Sequence, residues 1–385
     1  MNNFTFQNTT RIHFGKGQIS KLDRELSPYT RIMLTYGGGS IMGNGIYEQV
    51  KSLLKGKNVI EFGGIEPNPR YETLMRAVEM AKMQGVEFLL AVGGGSVIDG
   101  TKFIAAAVPF TDGDPWRMLT EGAKIYHALP LGTVLTLPAT GSEMNGNAVI
   151  TRDSVKQKLA FGNRLLQPVF SVLDPETMFS LPDRQISNGI ADAFVHVMEQ
   201  YLTYPVNSPV QDRFSEALLI TLMEEGPKVL KNKTDYDACA NLMWSATMAL
   251  NGIIVAGVPD DWSTHMIGHE LTALHGIDHA QSLCVVLPGL MQHQRVQKAQ
   301  KIIQYANRVL KINYDNNENT IDEAIRKTEA FFLKIGIPTN LGHYDITAKN
   351  VDYLCDRLSE NRQNAWGEHK DIDAEAVRKI LFSRL

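Results

Sequence analysis

The chain has 385 residues, which is more than one ordinary domain contains and predicts two. Its apolar content of 44%, charged content of 21% and net charge of −4 are ordinary for a globular protein and give no indication of a basic surface. No apolar run is long enough to span a bilayer, so we expect neither nucleic acid nor a membrane as a partner.

Cysteine usage bears on the cellular compartment. The chain contains only Cys239, Cys284 and Cys355, which are scattered and form no CxxC pair. The first residues also lack the basic-then-apolar pattern of a signal peptide. We therefore expect a cytoplasmic protein whose cysteines are small core residues.

Short apolar runs alternate with helical patterns as far as Pro182. Strand-like runs end at turn residues, and helical stretches follow them. This alternation predicts an α/β domain with a mostly parallel sheet covered on both faces. The predicted strands are 31–36, 58–62, 88–92, 133–140 and 169–175, and the predicted helices are 46–55, 73–85 and 97–108.

The pattern changes after Pro182, where strand-like runs disappear. Apolar residues at three- and four-residue spacing then predict long helices in 183–204, 208–230, 240–257 and 323–336. We therefore predict an α/β domain over residues 1–182 and an all-helical domain over residues 183–385.

A glycine-rich segment, residues 93–96, follows the predicted strand 88–92 and opens a helix. Glycines at a helix start allow a phosphate to approach free backbone N–H groups. Ser96 and Asp99 also form an S-x-x-D pattern typical of a capping box. The segment is either a phosphate loop or a well-capped tight turn, and it lacks the G-x-G-x-x-G fingerprint.

A second glycine-rich segment, residues 36–40, follows the predicted strand 31–36. NAD sites usually place a carboxylate near the adenosine 2′-OH, and that carboxylate would repel a 2′-phosphate. No acidic residue occurs here before Glu48. If a dinucleotide binds, NADP is favoured over NAD; the alternative is a flexible turn.

Potential metal ligands occur in two separate helical segments. Asp192 and His196 are four residues apart, which puts them on one helix face with Cβ atoms about 6 Å apart. The segment 260–280 holds four of the ten histidines. Together the segments can supply three or four N/O ligands to one zinc or iron(II) ion. The four histidines of the segment 260–280 are His265, His269, His275 and His279.

The segment 260–280 also contains residues that typically begin and end a helix. Asp260, Asp261 or Ser263 can cap a helix start, and Gly276 can end the helix. His265 and His269 would then share a face. His275 would lie in the last turn, and His279 could fold back toward His265.

Seven short motifs are spread along the chain: RIHFGKG (11–17), FGGIEPNP (62–69), AVGGGSVIDGTKF (91–103), LPATGSEMN (137–145), VLDP (172–175), ADAFVHVMEQY (191–201) and HMIGHELTALHGIDHA (265–280). Together they resemble the iron-containing (group III) alcohol dehydrogenase family, over essentially the whole chain. The similarity is greatest to the bacterial NADPH-dependent aldehyde reductases of the butanol-dehydrogenase-like subgroup.

This resemblance implies a dehydroquinate synthase-like architecture, with an N-terminal dinucleotide-binding domain and an all-helical metal-binding domain. It implies hydride transfer between NADP(H) and a broad range of aldehydes or primary alcohols, with one divalent ion, zinc or iron(II), as Lewis acid. It also implies a homodimer.

The resemblance assigns individual residues. It places the metal ligands at Asp192, His196, His265 and His279, and leaves His269 near the nicotinamide and substrate, in proton relay. His275 stays unassigned. It places the cofactor contacts at Gly38, Ser40, Asn68, Gly94, Gly95, Ser96, Asp99, Thr136, Thr140, Ser142, Lys158 and Leu181.

Two positions depart from the family pattern. The common Pro-His-Gly reads Asp278-His279-Ala280, and the common acid of the first βα loop is Gly38, which agrees with NADP.

Two other functions remain open. A dehydroquinate synthase-like enzyme would need many basic residues around a phosphorylated substrate, and few are present. A metal-binding protein without activity would have glycine segments that are only turns.

Overall fold

A computed structural model describes residues 1–360 and 365–385. Intrachain contacts divide the chain into two compact units. One, the α/β unit, comprises residues 7–181 and 233–247; the other, the helical unit, comprises residues 1–6, 182–232 and 248–385. Each unit therefore contains a segment that is distant in sequence. The predicted division after residue 182 remains a proposal.

The α/β unit contains a six-stranded sheet in the order β1-β8-β5-β4-β2-β3, and every pairing in it is parallel. An antiparallel hairpin, β6–β7, lies apart from it. The sheet strands are β1 Arg11–Phe14, β2 Arg31–Tyr36, β3 Asn58–Phe62, β4 Phe88–Gly94, β5 Leu131–Leu137 and β8 Phe170–Leu173, and the hairpin strands are β6 Asn147–Arg152 and β7 Gln157–Gly162.

Helices follow the strands of this unit. One core cluster joins Ile32 and Leu34 of β2, Phe88 of β4 and Val172 of β8. The helices are α1 Leu22–Glu25, α2 Ser40–Gly43, α3 Ile46–Leu53, α4 Tyr71–Gln84, α5 Gly95–Ala107 and α6 Arg117–Thr120. The predicted parallel α/β fold is confirmed. The sequence patterns did not predict β1 or the hairpin.

The described residues of the other unit form helices and loops, with no named β-strand. A core cluster joins Ile267 of the helix that carries His265 to Val285, Leu354 and Val377 of three further helices. The all-helical second part is therefore confirmed. The helices after Pro182 are α7 Asp183–Tyr201, α8 Pro209–Lys231, α9 Tyr236–Ala249, α10 Ser263–His275, α11 His279–His293, α12 Ala299–Arg308, α13 Asn317–Lys334, α14 Ala348–Glu360 and α15 Ala374–Phe382.

Helix α9 starts in the α/β unit, because residues 233–247 belong to that unit by contacts. There the Thr247 hydroxyl donates a hydrogen bond of 2.6 Å to Oε1 of the buried Glu143. In the part of the chain that the structure describes, no helix is both long enough and apolar enough to cross a bilayer.

Candidate functional site

Three of the predicted metal ligands converge in the helical unit. Asp192, on α7, is 3% exposed, and its Oδ1 lies 3.8 Å from Nε2 of His265 and 3.7 Å from Nε2 of His279. One ligand atom from each of the three residues lies within 4.8 Å of the others. One carboxylate and two imidazoles are thus directed at a common point. They come from α7, from α10 and from the first residue of α11.

His196 lies beside this group. Its Nδ1 is 3.8 Å from the same Asp192 oxygen, and its ring stacks on that of His265 with centroids 4.5 Å apart. Burial lowers the pKa of His196 to about 4, so the imidazole is neutral at physiological pH, the form in which it ligates metals. The i, i+4 spacing on α7 therefore brings His196 to the cluster. Its assignment as the fourth ligand remains a proposal.

These distances suit metal ligands better than hydrogen bonds. Separations of 3.7–3.8 Å exceed a normal hydrogen bond. Ligands about 2.1 Å from a tetrahedral ion lie about 3.4 Å from one another. Among the described residues, the buried Nδ1 of His196 and Nε2 of His265 have no hydrogen-bond partner. Buried polar atoms normally have one, so the residues fit a divalent ion.

A carboxylate that sequence reasoning missed supports His265. The Glu199 side chain is 1% exposed, and one of its oxygens is hydrogen-bonded to Nδ1 of His265. Burial disfavours the imidazolium form of His265, but the charges of Glu199 and Asp192 outweigh burial and raise its pKa to about 9. A signal was available, because Glu199 follows Asp192 by seven residues and His196 by three on α7, and therefore shares their helix face.

His269 and His275 occupy different surroundings. His269 is 5% exposed, and its ring centroid lies 5.1 Å from that of His279 and 6.3 Å from that of His265. His275 is the last residue of α10, and burial lowers its pKa. The predicted helix end at Gly276 is confirmed by its left-handed φ of 69°.

The predicted cap of α10 is only partly correct. The residue that precedes the helix is Trp262, and its side chain does not cap it. The Ser263 N–H donates instead to Oδ1 of Asp261, at 2.9 Å. The side chain of Asp261, two residues before Ser263, thus holds the turn that leads into α10.

In the α/β unit, the glycine-rich segment 93–96 joins β4 directly to α5, which begins at Gly95. A Cβ on Gly95 would lie 2.4 Å from Oγ1 of Thr140, and one on Gly94 would lie 3.0 Å from Cβ of Leu137. Only glycine allows the backbone to pass so close to the end of β5 and the residues that follow it. The start of α5 and Thr140 therefore lie together at the carboxyl ends of two neighbouring strands, where α/β proteins bind ligands.

The predicted capping box is wrong. The residue before α5 is Gly94, and it has no side-chain cap. The Ser96 hydroxyl instead accepts a hydrogen bond of 3.3 Å from the Asn68 N–H. Asp99 faces another loop, accepting from Ser142 Oγ at 2.6 Å and from the Val149 N–H at 2.9 Å. The geometry thus brings together, in pairs, four of the residues predicted as cofactor contacts: Ser96 with Asn68 and Asp99 with Ser142.

Lys102 is a fully buried cation on α5 that sequence reasoning missed. Its Nζ donates to Ser142 Oγ at 2.8 Å, to Asn145 Oδ1 at 3.0 Å and to the Asn147 carbonyl at 2.7 Å. Burial lowers its pKa to about 8, against the opposing charges of Asp99 and Glu143. The available signal was a single lysine directly before the apolar run 103–108 of a predicted helix.

Burial also raises the pKa of both carboxyl groups in this cluster, Asp99 and Glu143. Lys102 and Lys158 oppose that rise at Asp99, because their positive charges favour its ionised form. The loop that carries Ser142 is therefore held by a buried network of opposite charges, which are stable in the interior only when paired and hydrogen-bonded.

The other predicted cofactor residues lie elsewhere in the same unit. Gly38 follows β2, and in the described chain no atom beyond its neighbours lies within 4 Å of a Cβ placed there. Ser40 begins α2, while Thr136 is buried in β5. Lys158 is buried in β7 opposite Thr151. The carbonyl of Leu181 accepts from Lys233 Nζ at 3.3 Å.

Comparisons with known proteins point to one family. Residues 9–175 match the model of iron-containing alcohol dehydrogenase, and residues 186–385 match the C-terminal model of the Fe-containing alcohol dehydrogenase family. The NADPH-dependent aldehyde reductase YqhD of Escherichia coli is 52% identical over 382 residues, 99% of each chain.

One further relative and a solved structure agree. A probable NADH-dependent butanol dehydrogenase of Bacillus subtilis is 40% identical over 390 residues, which cover both chains completely. The crystal structure of E. coli YqhD matches with a TM-score of 0.97, covering 100% of this chain and 99% of that one. The resemblance inferred from the motifs is thereby confirmed.

Proposed function

The chain belongs to the iron-containing alcohol dehydrogenase family, and we propose that it reduces aldehydes with NADPH and oxidises primary alcohols with NADP. It is an oxidoreductase of the aldehyde reductase and alcohol dehydrogenase class. The observation that carries this conclusion is the convergence of Asp192, His265 and His279 in a chain so similar to an NADPH-dependent aldehyde reductase.

We propose that Asp192, His196, His265 and His279 hold one divalent ion, either zinc or iron(II). Support comes from their mutual distances and from the buried nitrogens of His196 and His265. One carboxylate with three imidazoles suits both metals. When bound, such an ion supplies Lewis-acid polarisation of a carbonyl oxygen.

We propose that NADPH, which supplies the hydride, binds the loops at the carboxyl ends of β2, β4 and β5. The backbone N–H groups at the start of α5 suit the pyrophosphate, because Gly94 and Gly95 leave no side chain in the way. Asp99 and Lys102 hold Ser142 in place beside them. We retain as further contacts Ser40, Asn68, Ser96, Thr136, Thr140, Lys158 and Leu181.

The open space at Gly38 supports the choice of NADPH. A carboxylate at this position would repel the 2′-phosphate and accept a hydrogen bond from the 2′-OH of NADH. Gly38 supplies neither effect, and no side chain of the described residues fills the space beside it. We therefore propose that the loop at Gly38 admits the 2′-phosphate of NADPH.

We propose that His269 takes part in delivering the proton that converts the reduced aldehyde to the alcohol. It is buried and lies one helical turn from His265 on α10, with its ring near that of His279. Imidazole is the side-chain group that enzymes most often use to transfer protons to and from a reacting group. We propose no role for His275.

The test is a steady-state assay of the purified, metal-analysed protein with butanal and other aldehydes, using NADPH and NADH in parallel. We expect loss of NADPH absorbance with several aldehydes and a higher kcat/KM for NADPH. Metal-loaded protein that oxidises no NADPH with any aldehyde would contradict the proposal. If it also failed to bind NADPH, the protein would be a metal-binding protein without this activity.

We also propose a homodimer located in the cytoplasm, as the family resemblance implies. Light scattering coupled to size-exclusion chromatography would give about twice the chain mass of 42.9 kDa for a dimer. A mass equal to one chain at micromolar concentration would contradict this proposal.

A further inference from the structure

The Glu199 carboxylate links helix α7 to the start of α10. Its Oε1 accepts a hydrogen bond of 2.5 Å from the Thr264 N–H and lies 3.4 Å from the His265 N–H. Its Oε2 is hydrogen-bonded to Nδ1 of His265. The Glu199 backbone carbonyl also accepts from the Asp261 N–H at 3.0 Å. One buried side chain therefore contacts both the backbone and the ring of a proposed metal ligand.

This contact determines which ring nitrogen of His265 carries the proton. A carboxylate accepts hydrogen bonds and cannot donate them, so Nδ1 must be protonated to bond to Glu199. In the neutral ring the lone pair then lies on Nε2. That is the nitrogen 3.8 Å from Oδ1 of Asp192, and in the described chain it has no hydrogen-bond partner.

We propose that Glu199 is a positioning residue of the metal centre, which fixes the tautomer and rotation of the His265 ring so that Nε2 faces the ion. This inference rests on the proposed metal site and adds a residue outside the ligand set. Histidines that bind metals commonly donate their second N–H to such a partner, and loss of the partner typically weakens metal binding about 10- to 100-fold.

A role limited to capping α10 would not require a carboxylate. The turn before α10 is already held by Asp261, through the Ser263 N–H. An uncharged amide could also accept from the Thr264 N–H. The Thr264 N–H and the protonated Nδ1 of His265 are both donors, so Glu199 needs two acceptor atoms to bond to both. The second acceptor is required only by Nδ1 of His265.

The substitution Glu199→Gln separates these roles with almost no change in shape. If the amide oxygen stays on the Thr264 N–H, the amide NH2 faces Nδ1 and favours protonation of Nε2, which then cannot bind a metal. If the amide turns over, its NH2 meets the Thr264 N–H and two donors oppose each other. Neither orientation satisfies both partners.

The experiment measures Zn²⁺ affinity of the full-length protein after removal of metal with a chelator, by competition with a chromogenic chelator. We expect Glu199→Gln to bind Zn²⁺ about 10- to 100-fold more weakly than wild type. The matched control is Glu216→Gln, another buried glutamate of the helical unit, which accepts from Tyr201, Gln304 and Arg308. The control should bind Zn²⁺ as wild type does.

A double-mutant cycle distinguishes positioning of His265 from a general structural effect. In the His265→Ala background, Glu199→Gln should change the remaining Zn²⁺ affinity by less than about twofold, because its target is gone. An equal loss in both backgrounds would overturn the proposal, as would wild-type affinity in the single variant. Wild-type protein that binds no Zn²⁺ would overturn the metal site and this role together.

Thermal unfolding of the metal-free proteins checks that each variant folds. If Glu199→Gln does not fold, NMR of Zn²⁺-loaded wild-type protein with ¹⁵N-labelled histidine decides the question. A protonated Nδ1 on the metal-bound His265, identified by its absence in His265→Ala, would support the proposal. Zinc bound through Nδ1 of His265 would overturn it.

Discussion

Nε2 of His265 lies 3.8 Å from Oδ1 of Asp192, although 73 positions of sequence separate the two residues. The separation is too long for a hydrogen bond and close to that of two ligands of one ion. It places α7 and α10 side by side with their polar atoms directed at one point. The proposed chemistry of the helical unit depends on this relationship.

Removal of either facing imidazole should remove the metal. We expect His265→Ala and His279→Ala to lose most of the bound metal and turnover together, because three ligands hold an ion much less tightly than four. Elemental analysis beside the aldehyde assay measures both quantities. The control is His293→Ala, at the exposed end of α11. A His265 or His279 variant with full metal content and full rate would show that its assignment is wrong.

His269→Ala should separate metal binding from turnover. We expect full metal content and a kcat reduced about 100-fold or more, since acid–base groups typically contribute this much. Metal analysis and steady-state kinetics on the same preparation provide the comparison. An unchanged kcat would exclude the proton relay by His269, whereas loss of metal from the variant would indicate that His269 is itself a ligand.

Gly38→Asp should shift cofactor preference from NADPH toward NADH. The position has room for a side chain, and a carboxylate there repels the 2′-phosphate. We expect the ratio of kcat/KM for NADPH to that for NADH to fall about tenfold or more, a change of about 1.4 kcal/mol. Gly38→Asn, which has the same shape without the charge, is the matched control. An equal fall in both variants would attribute the effect to size and not to charge.

Gly95→Ala should weaken NADPH binding without affecting the metal. The new Cβ would lie 2.4 Å from Thr140 Oγ1, so the start of α5 or the loop after β5 must move. We expect a higher KM for NADPH and a loss of about 1–3 kcal/mol in the free energy of unfolding. The control is Gly43→Ala, at an exposed glycine with no described atom near the added Cβ. An unchanged KM would argue against this loop as the pyrophosphate site.

Lys102 should make the stability of the α/β unit depend on pH in the alkaline range. Its folded-state pKa of about 8 lies below the ordinary value of 10.5. Between these values the unfolded chain binds a proton that the folded chain has lost, so the free energy of unfolding rises with pH above 8. Below pH 8 the lysine is charged in both states, and this contribution is constant.

The substitution Lys102→Met tests this behaviour. It should lower stability by about 1–3 kcal/mol, because the buried acceptors on Ser142 and Asn145 and the carbonyl of Asn147 lose their donor. It should also remove the alkaline rise, which urea unfolding at a series of pH values would detect. Lys82→Met, at an exposed lysine of α4, controls for the substitution itself. If the free energy of unfolding varied with pH in the same way for wild type and Lys102→Met, the lowered pKa of Lys102 would be contradicted.

Much of the fold followed from local sequence patterns. The strand predicted at 58–62 matches β3, and the helix predicted to end at Gly85 does so, with a left-handed φ of 59°. Strand β1 was missed because it is short and mixes Arg11 and His13 with two apolar residues. The β6–β7 hairpin was missed because polar residues such as Gln157 and Lys158 interrupt its apolar pattern.

Sequence reasoning failed where a polar side chain reached a distant partner. Ser96 and Asp99 fit a capping box by spacing, yet they bond to the Asn68 N–H and to Ser142. Glu199 shares a helix face with Asp192 and His196, and Lys102 borders an apolar run, but neither position shows which group its side chain contacts. Their roles depend on partners 40 or more positions away in the chain.

By itself, the sequence determined the succession of strands and helices, the change of architecture near Pro182, the family, and the residue types available for a metal. These features follow from periodicity, turn residues and short motifs, all of which act between near neighbours. Only the tertiary structure decided that Asp192, His265 and His279 meet, that the Glu199 carboxylate is hydrogen-bonded to the His265 ring, and that Lys102 is buried. Those facts are distances between side chains on separate helices, and packing of the whole core sets such distances.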